Sequence, residues 1–182
     1  MIETTIINFY GGPASGKSTS AAYFYYLLKS CGDNVELVRE YVKDWAWDAR
    51  SISVYDQIYF LGKQVRRESM LYGKVNWIVT DSPVMMNLYY AQHYCPTQLA
   101  EGVRAATLSF YNQAEKDGHK HIHVFLKRTT PYVNEGRYQT EQEAKEIDFG
   151  IKNALSNFKL PIIESTSNEL DLKCLFDILK NK

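Results

Sequence analysis

The stretch Gly11-Gly12-Pro13-Ala14-Ser15-Gly16-Lys17-Ser18 satisfies G-x-x-x-x-G-K-S in full, and it restricts the fold more than any other part of the chain. The pattern carries meaning only where a buried strand runs into a tight turn and a helix opens directly behind it. Both flanks comply. Thr5 to Tyr10 is a short run rich in β-branched and aromatic residues. Ser18 to Ser30 sets Ala21, Phe24, Tyr25 and Leu28 along one helical face before Cys31-Gly32 stops it. Glycines let successive backbone N–H groups turn toward an anion, and the helix start adds the positive end of its dipole. The loop therefore predicts a cradle for a nucleoside triphosphate, built from Gly11 to Ser18 with Thr19. Lys17 is expected to reach the β and γ phosphates, and the Ser18 hydroxyl to ligate Mg²⁺.

The rest of the chain alternates in the same way. Strands are expected at Val35–Val38, Val75–Thr80, His121–Leu126 and Pro161–Glu164. Helices are expected over Val42–Arg50, over Val54–Tyr72 with a Val54, Ile58, Leu61, Val65 stripe and Gly73 as its stop, and over Met85–His93. After the break at Cys95-Pro96 a longer helix is expected to align Leu99, Val103, Ala106 and Phe110. Thr140 and Glu143 form a capping box that opens a helix striped by Ala144, Ile147, Ile151, Ala154 and Leu155, and Glu169–Lys180 closes the series. This alternation predicts an α/β sandwich around a mostly parallel sheet, with the ligand site beyond the carboxyl ends of the strands.

Composition sets the outer bounds. At 182 residues, 45% of them hydrophobic, the chain has the size of one domain with a proper core. Basic and acidic residues balance at 21 each, so no global positive field favours bulk nucleic acid or an anionic membrane. Cys31, Cys95 and Cys174 are odd in number and lack zinc or disulfide spacing, which suits a reduced compartment. No apolar stretch nears the roughly 20 residues needed to span a bilayer, and the opening residues do not read as a secretion signal. A soluble, cytoplasmic protein is the expectation. His93, His119, His121 and His123 have no defensible metal-site spacing and are expected at the surface or at a sheet edge.

Chemistry-bearing residues gather at predicted strand ends. Asp81 closes Trp77-Ile78-Val79-Thr80 and is the candidate acidic partner of Mg²⁺. Glu40 follows the second strand, where a carboxylate can take a proton from an attacking hydroxyl, and Arg39 beside it can pair with an anionic acceptor. Either Glu40 or Asp81 can serve as the general base. The polar connection Leu126 to Arg137 has cations on both flanks and reads as a lid, the lid-like segment spanning about 127–142, with Arg128 or Arg137 covering the phosphates. Gln57, Phe60, Gln64 and Arg67 share one helical face, whose amides beside a ring suit a nucleobase. Tyr41, Trp45 and Trp47 are either packing residues or a stacking platform.

Four segments carry a family resemblance over nearly the whole chain. They are Phe9 to Ser18, Val38-Arg39-Glu40-Tyr41-Val42-Lys43-Asp44, Thr80-Asp81-Ser82-Pro83 and Gly136-Arg137-Tyr138-Gln139-Thr140-Glu141. In these it resembles phage-encoded and cellular P-loop proteins related to the nicotinamide riboside kinase domain of bifunctional NAD-biosynthesis regulators. The resemblance implies a three-layer P-loop NTPase sandwich of the nucleoside/nucleotide kinase type. Its sheet would hold five parallel strands, the loop strand central and the Asp81 strand beside it. The chain is also similar to deoxynucleoside kinases, whose base after the second strand matches Glu40, but it reads Asp81-Ser82-Pro83 where they carry an acidic-Arg-Ser pattern.

The implied activity is transfer of the ATP γ-phosphate, with Mg²⁺, to a nucleoside, nucleotide or related acceptor. A phage kinase acting on 5-hydroxymethyluracil within DNA is a specific alternative, which the neutral net charge mildly disfavours. The rival from another class is a nucleotide-gated regulatory or binding ATPase. Against that rival, the chain is too compact for the helical lid subdomain of a AAA+ machine and lacks a guanine-reading N-K-x-D.

Overall fold

A computed structural model describes residues 2–129, 132 and 139–181. Twelve elements follow in the order β1 (Thr5–Tyr10), α1 (Lys17–Ser30), β2 (Val35–Val38), α2 (Val42–Trp47), α3 (Asp56–Ser69), β3 (Trp77–Thr80), α4 (Met86–Tyr94), α5 (Thr97–Lys116), β4 (Lys120–Lys127), α6 (Glu141–Asn157), β5 (Ile162–Thr166) and α7 (Glu169–Lys180). The strands form one sheet in the order β2-β3-β1-β4-β5, every pairing parallel. The fold is the three-layer α/β sandwich with a five-stranded parallel sheet, and the loop strand β1 lies at its centre.

Alternation along β1 sends its side chains to two different cores. Ile7 and Phe9 face α1 and α7, where Phe24 meets Phe9 edge-on at 5.3 Å and Phe176 at 5.8 Å. Each such buried ring contributes roughly 1.5–3 kcal/mol by leaving water. Tyr10 faces the opposite layer, with Met85, Met86, Tyr111 and the α6 stripe Ile147, Ile151 and Leu155. The capping box that opens α6 is formed, Glu143 N–H donating to Thr140 Oγ1 and Thr140 N–H donating back to Glu143 Oε2.

Three expectations about faces are corrected. The buried face of α5 is Val103, Thr107, Tyr111 and Ala114, while Leu99 and Phe110 point outward. In α3 the inner face is Gln57, Phe60, Leu61, Gln64 and Glu68, leaving Ile58 exposed, and the helix ends at Ser69, with Gly73 in the turn beyond. The apolar count misled because this inner face is largely polar. The histidines of β4 are not surface or edge residues either, since β4 pairs with both β1 and β5. His123 is buried, its Nδ1 against Tyr10 Oη at 2.9 Å and its Nε2 against Tyr111 Oη at 3.1 Å, and His119 is buried as well.

Candidate active site

The loop between β1 and α1 is shaped by backbone that most residues resist. Gly16 has φ +90, and a Cβ there would sit 2.4 Å from Ser167 Cβ. Gly12 is hemmed in differently: a Cβ would lie 2.6 Å from Ala144 O and 2.9 Å from Asp148 Oδ1, both on α6. Ala14 adopts a left-handed φ of +57 without being glycine. Strain of this kind costs about 1–3 kcal/mol and persists where surrounding structure imposes it. No side chain caps α1, so the dipole end of the helix opens onto the loop. Lys17 Nζ donates to Gly12 O at 2.9 Å, folding the lysine across the cradle.

Register explains why the two strand-end carboxylates meet. Val38 of β2 is paired with Thr80 of β3, and Thr80 with Asn8 of β1, so the residues that follow emerge side by side at one edge of the loop. Glu40 N–H donates to Asp81 Oδ1 at 2.8 Å, and Asp81 is almost wholly buried.

A cavity of about 530 Å³ adjoins the loop. Pro13, Ala14, Gly16, Lys17, Ser18 and Thr19 form its phosphate-loop side. Glu40 and Tyr41 come from the exit of β2, Gln57, Phe60 and Gln64 from α3, and Met86, Asn87, Tyr90 and Tyr94 from α4. Volume and mixed lining fall within the range of small-ligand sites. Burial and the negative charge of Glu40 hold the Tyr90 phenol well above its ordinary value, so it stays protonated. Tyr41 Oη pairs with Tyr59 Oη at 2.8 Å at the rim, and that bond is the main cause that lowers its phenol.

Gly11, Gly12 and Ser15 belong to the loop but are not among the described lining residues. Arg39 is exposed, its carbonyl accepting from Arg67 Nη1 at 3.0 Å. Trp45 packs edge-on against Phe60 at 4.9 Å and is not among the described lining residues, and Trp47 is exposed. Arg128 is bound to Asp148 through Nε at 3.0 Å and Nη2 at 2.9 Å, and Nη2 also donates to Pro13 O at 2.9 Å. Arg137, expected to share its role, lies outside the described residues, as do residues 130–131 and the rest of 133–138 in the expected lid.

The family model described as "AAA domain" matches residues 6–171. The chain belongs to that AAA domain family. No curated protein sequence matches it. Among solved structures this AAA domain resembles "NadR protein in complex with NR", with TM-score 0.71 at 15% identity over 98% of this chain and 50% of that one. It also resembles "NadR protein in complex with NAD and AMP-PNP", with TM-score 0.70 at 13% identity over 98% of this chain and 49% of that one. The chain thus spans about half the length of these structures, and at such identity the likeness is one of fold.

Two residues at or beside this AAA domain's candidate site had no sequence signal. Asp148 accepts from the Gly12 backbone N–H while holding Arg128, across 136 positions of chain. Tyr90 sits in a helix whose apolar pattern gave no reason to single it out. No helix among the described residues is long and apolar enough to cross a membrane.

Proposed function

We propose that this P-loop domain is an ATP-dependent kinase that transfers the γ-phosphate to a hydroxyl or phosphate of a nucleoside, nucleotide or related acceptor. The observation that carries this reading is that one cavity joins the phosphate loop to an acceptor-type wall. Lys17 and Ser18 stand at one side, Glu40 in the wall, and the Gln57 and Gln64 amides with Phe60 and Tyr90 line the remainder. Switches, motors and kinases share the loop; the polar and aromatic wall beside it in the same cavity suits a second substrate.

Among the described residues no cluster of three or more His, Cys, Asp or Glu could hold a metal ion. Mg²⁺ in phosphoryl transfer takes most of its ligands from phosphates and water and needs only an oxygen or two from protein. Ser18 and Asp81 are the proposed protein oxygens, and bound Mg²⁺ supplies neutralisation of the charge developing on the phosphates. Lys17 holds the transferred group, Glu40 accepts the acceptor's proton, and Arg128 steadies the loop through Pro13 O. These residues act by positioning and charge rather than by covalent catalysis. The bound NR and NAD of the NadR structures support a nucleoside-bearing acceptor by fold only.

The test is a panel of nucleosides, nucleotides, nicotinamide riboside and DNA containing 5-hydroxymethyluracil, each incubated with labelled ATP and Mg²⁺. Acceptor-dependent transfer to one class is expected. Hydrolysis without transfer to any member, rising only when a protein partner is added, would replace this reading with a regulatory ATPase.

A further inference from the structure

Glu68 is the least expected residue in the core. It lies on the inner face of α3, 1% exposed, one helical turn beyond Gln64, which lines the cavity. Tyr72 Oη donates to Glu68 Oε1, while Glu68 Oε2 is buried without a partner among the described residues. Gln64 repeats the pattern: Nε2 donates to Thr80 Oγ1 at 3.4 Å, and Oε1 is buried without a partner. Two unpaired acceptors therefore sit a turn apart on the same buried helical face, where residues at i and i+4 are neighbours. Each orphan costs its desolvation energy, and one proton placed between them satisfies both.

We propose that Glu68 is a positioning residue for the acceptor cavity: as the neutral acid it donates to Gln64 Oε1, which fixes the amide nitrogen on Thr80 and leaves its second N–H for the ligand. The ligand atom meeting Gln64 is then a hydrogen-bond acceptor, an exocyclic oxo or carboxamide oxygen rather than an amino group. This deepens the kinase reading and rests on it for the identity of the cavity.

The surroundings favour the neutral form. Burial pushes the Glu68 carboxyl up to about 7, opposed only by the Tyr72 bond. Facing groups are phenols and imidazoles. Tyr72 comes from the turn after α3, with the His119 ring tilted against it at 4.5 Å; Tyr10 comes from β1, and Tyr111 and His121 lie beyond it on α5 and β4. Ionisation reverses the arrangement: Gln64 turns its nitrogen to Glu68 and its oxygen to the Thr80 hydroxyl, so a lone pair replaces the N–H at the cavity. Acceptor preference therefore changes with pH.

The experiment compares wild type with Glu68→Gln, whose own amide N–H can donate to Gln64 Oε1 at every pH. In the protein without ligand, infrared difference spectra between about pH 6 and about pH 8.5 should show loss of a neutral carboxylic-acid C=O band in wild type and none in the variant. The Gln64 side-chain amide resonance, assigned with Gln64→Leu, should shift over the same range only in wild type. With uridine and cytidine, which differ at this edge by oxo against amino, the kcat/KM ratio should fall about tenfold in wild type as pH rises and stay level in the variant. Using a ratio cancels the titration of groups both acceptors share.

Absence of the band, a Gln64 resonance that shifts equally in both proteins, or a ratio that changes equally in both overturns the proposal. Where the band and shift are present but no acceptor is phosphorylated, the kinase reading fails and the Glu68–Gln64 coupling stands.

Discussion

Asp81 Oδ1 accepts the backbone N–H of Glu40 at 2.8 Å, so the carboxylate at the end of β3 fixes the chain that presents the carboxylate at the end of β2. The two acids consequently have separable roles. Glu40→Gln is expected to lower kcat by about 10²–10⁴ while ATP affinity measured by calorimetry stays within a few fold. Asp81→Asn keeps an oxygen for the Glu40 N–H and is expected instead to raise the Mg²⁺ concentration needed for half-maximal rate. If Glu40→Gln retains full turnover, the proton acceptor is Asp81.

Lys17 spans the loop to Gly12 O at 2.9 Å. Lys17→Ala is expected to reduce transfer by roughly 10³-fold or more, since it removes a flexible cation at the phosphate loop. The same variant should keep its thermal transition close to wild type, which separates lost chemistry from lost fold.

Arg128 is held by Asp148 and by Pro13 O, and Asp148 also takes the Gly12 N–H. With both side chains mostly buried, Asp148→Ala strands the guanidinium and frees the loop amide. A loss of about 2–4 kcal/mol in denaturant unfolding is expected, accompanied by weaker nucleotide binding. Gly12→Ala should weaken nucleotide binding through the same contact, because its Cβ would press within 2.6 Å of Ala144 O.

Stability should respond to acid through the β4 histidines. Burial holds His121 at about 3 and His123 at about 4, well below an unfolded imidazole near ~6.5. Between those values the unfolded chain binds more protons, so stability is complete above the unfolded value and is lost as pH falls toward about 4. Glu68, raised to about 7, works in the opposite sense and is stabilising below an unfolded carboxyl of ~4.3, losing that contribution as pH rises. Melting temperatures from about pH 4 to about pH 8 should therefore rise more steeply for Glu68→Gln than for wild type.

How much of this was legible can be read from particular residues. Gly11 to Ser18 announced itself because a phosphate cradle depends on local backbone, and local backbone is written in contiguous residues. The strands and the α6 capping box were legible for the same reason. The site candidates on α3 were harder. Gln57 and Gln64 could be put on one helical face, but helical spacing does not say which face turns inward, and the apolar stripe pointed partly the wrong way through Ile58.

By itself, then, the sequence determined the loop, the alternation of strand and helix, and the parallel α/β architecture that follows from them, all of which depend on short-range conformational preference and hydrophobic period. Only the tertiary structure decided which polar residues share space. The strand order that sets Glu40 beside Asp81, the clamp from Asp148 to Gly12, and the burial of Glu68 and His123 each join positions far apart in the chain. Such contacts arise from sheet order and packing between layers, and no local pattern encodes them.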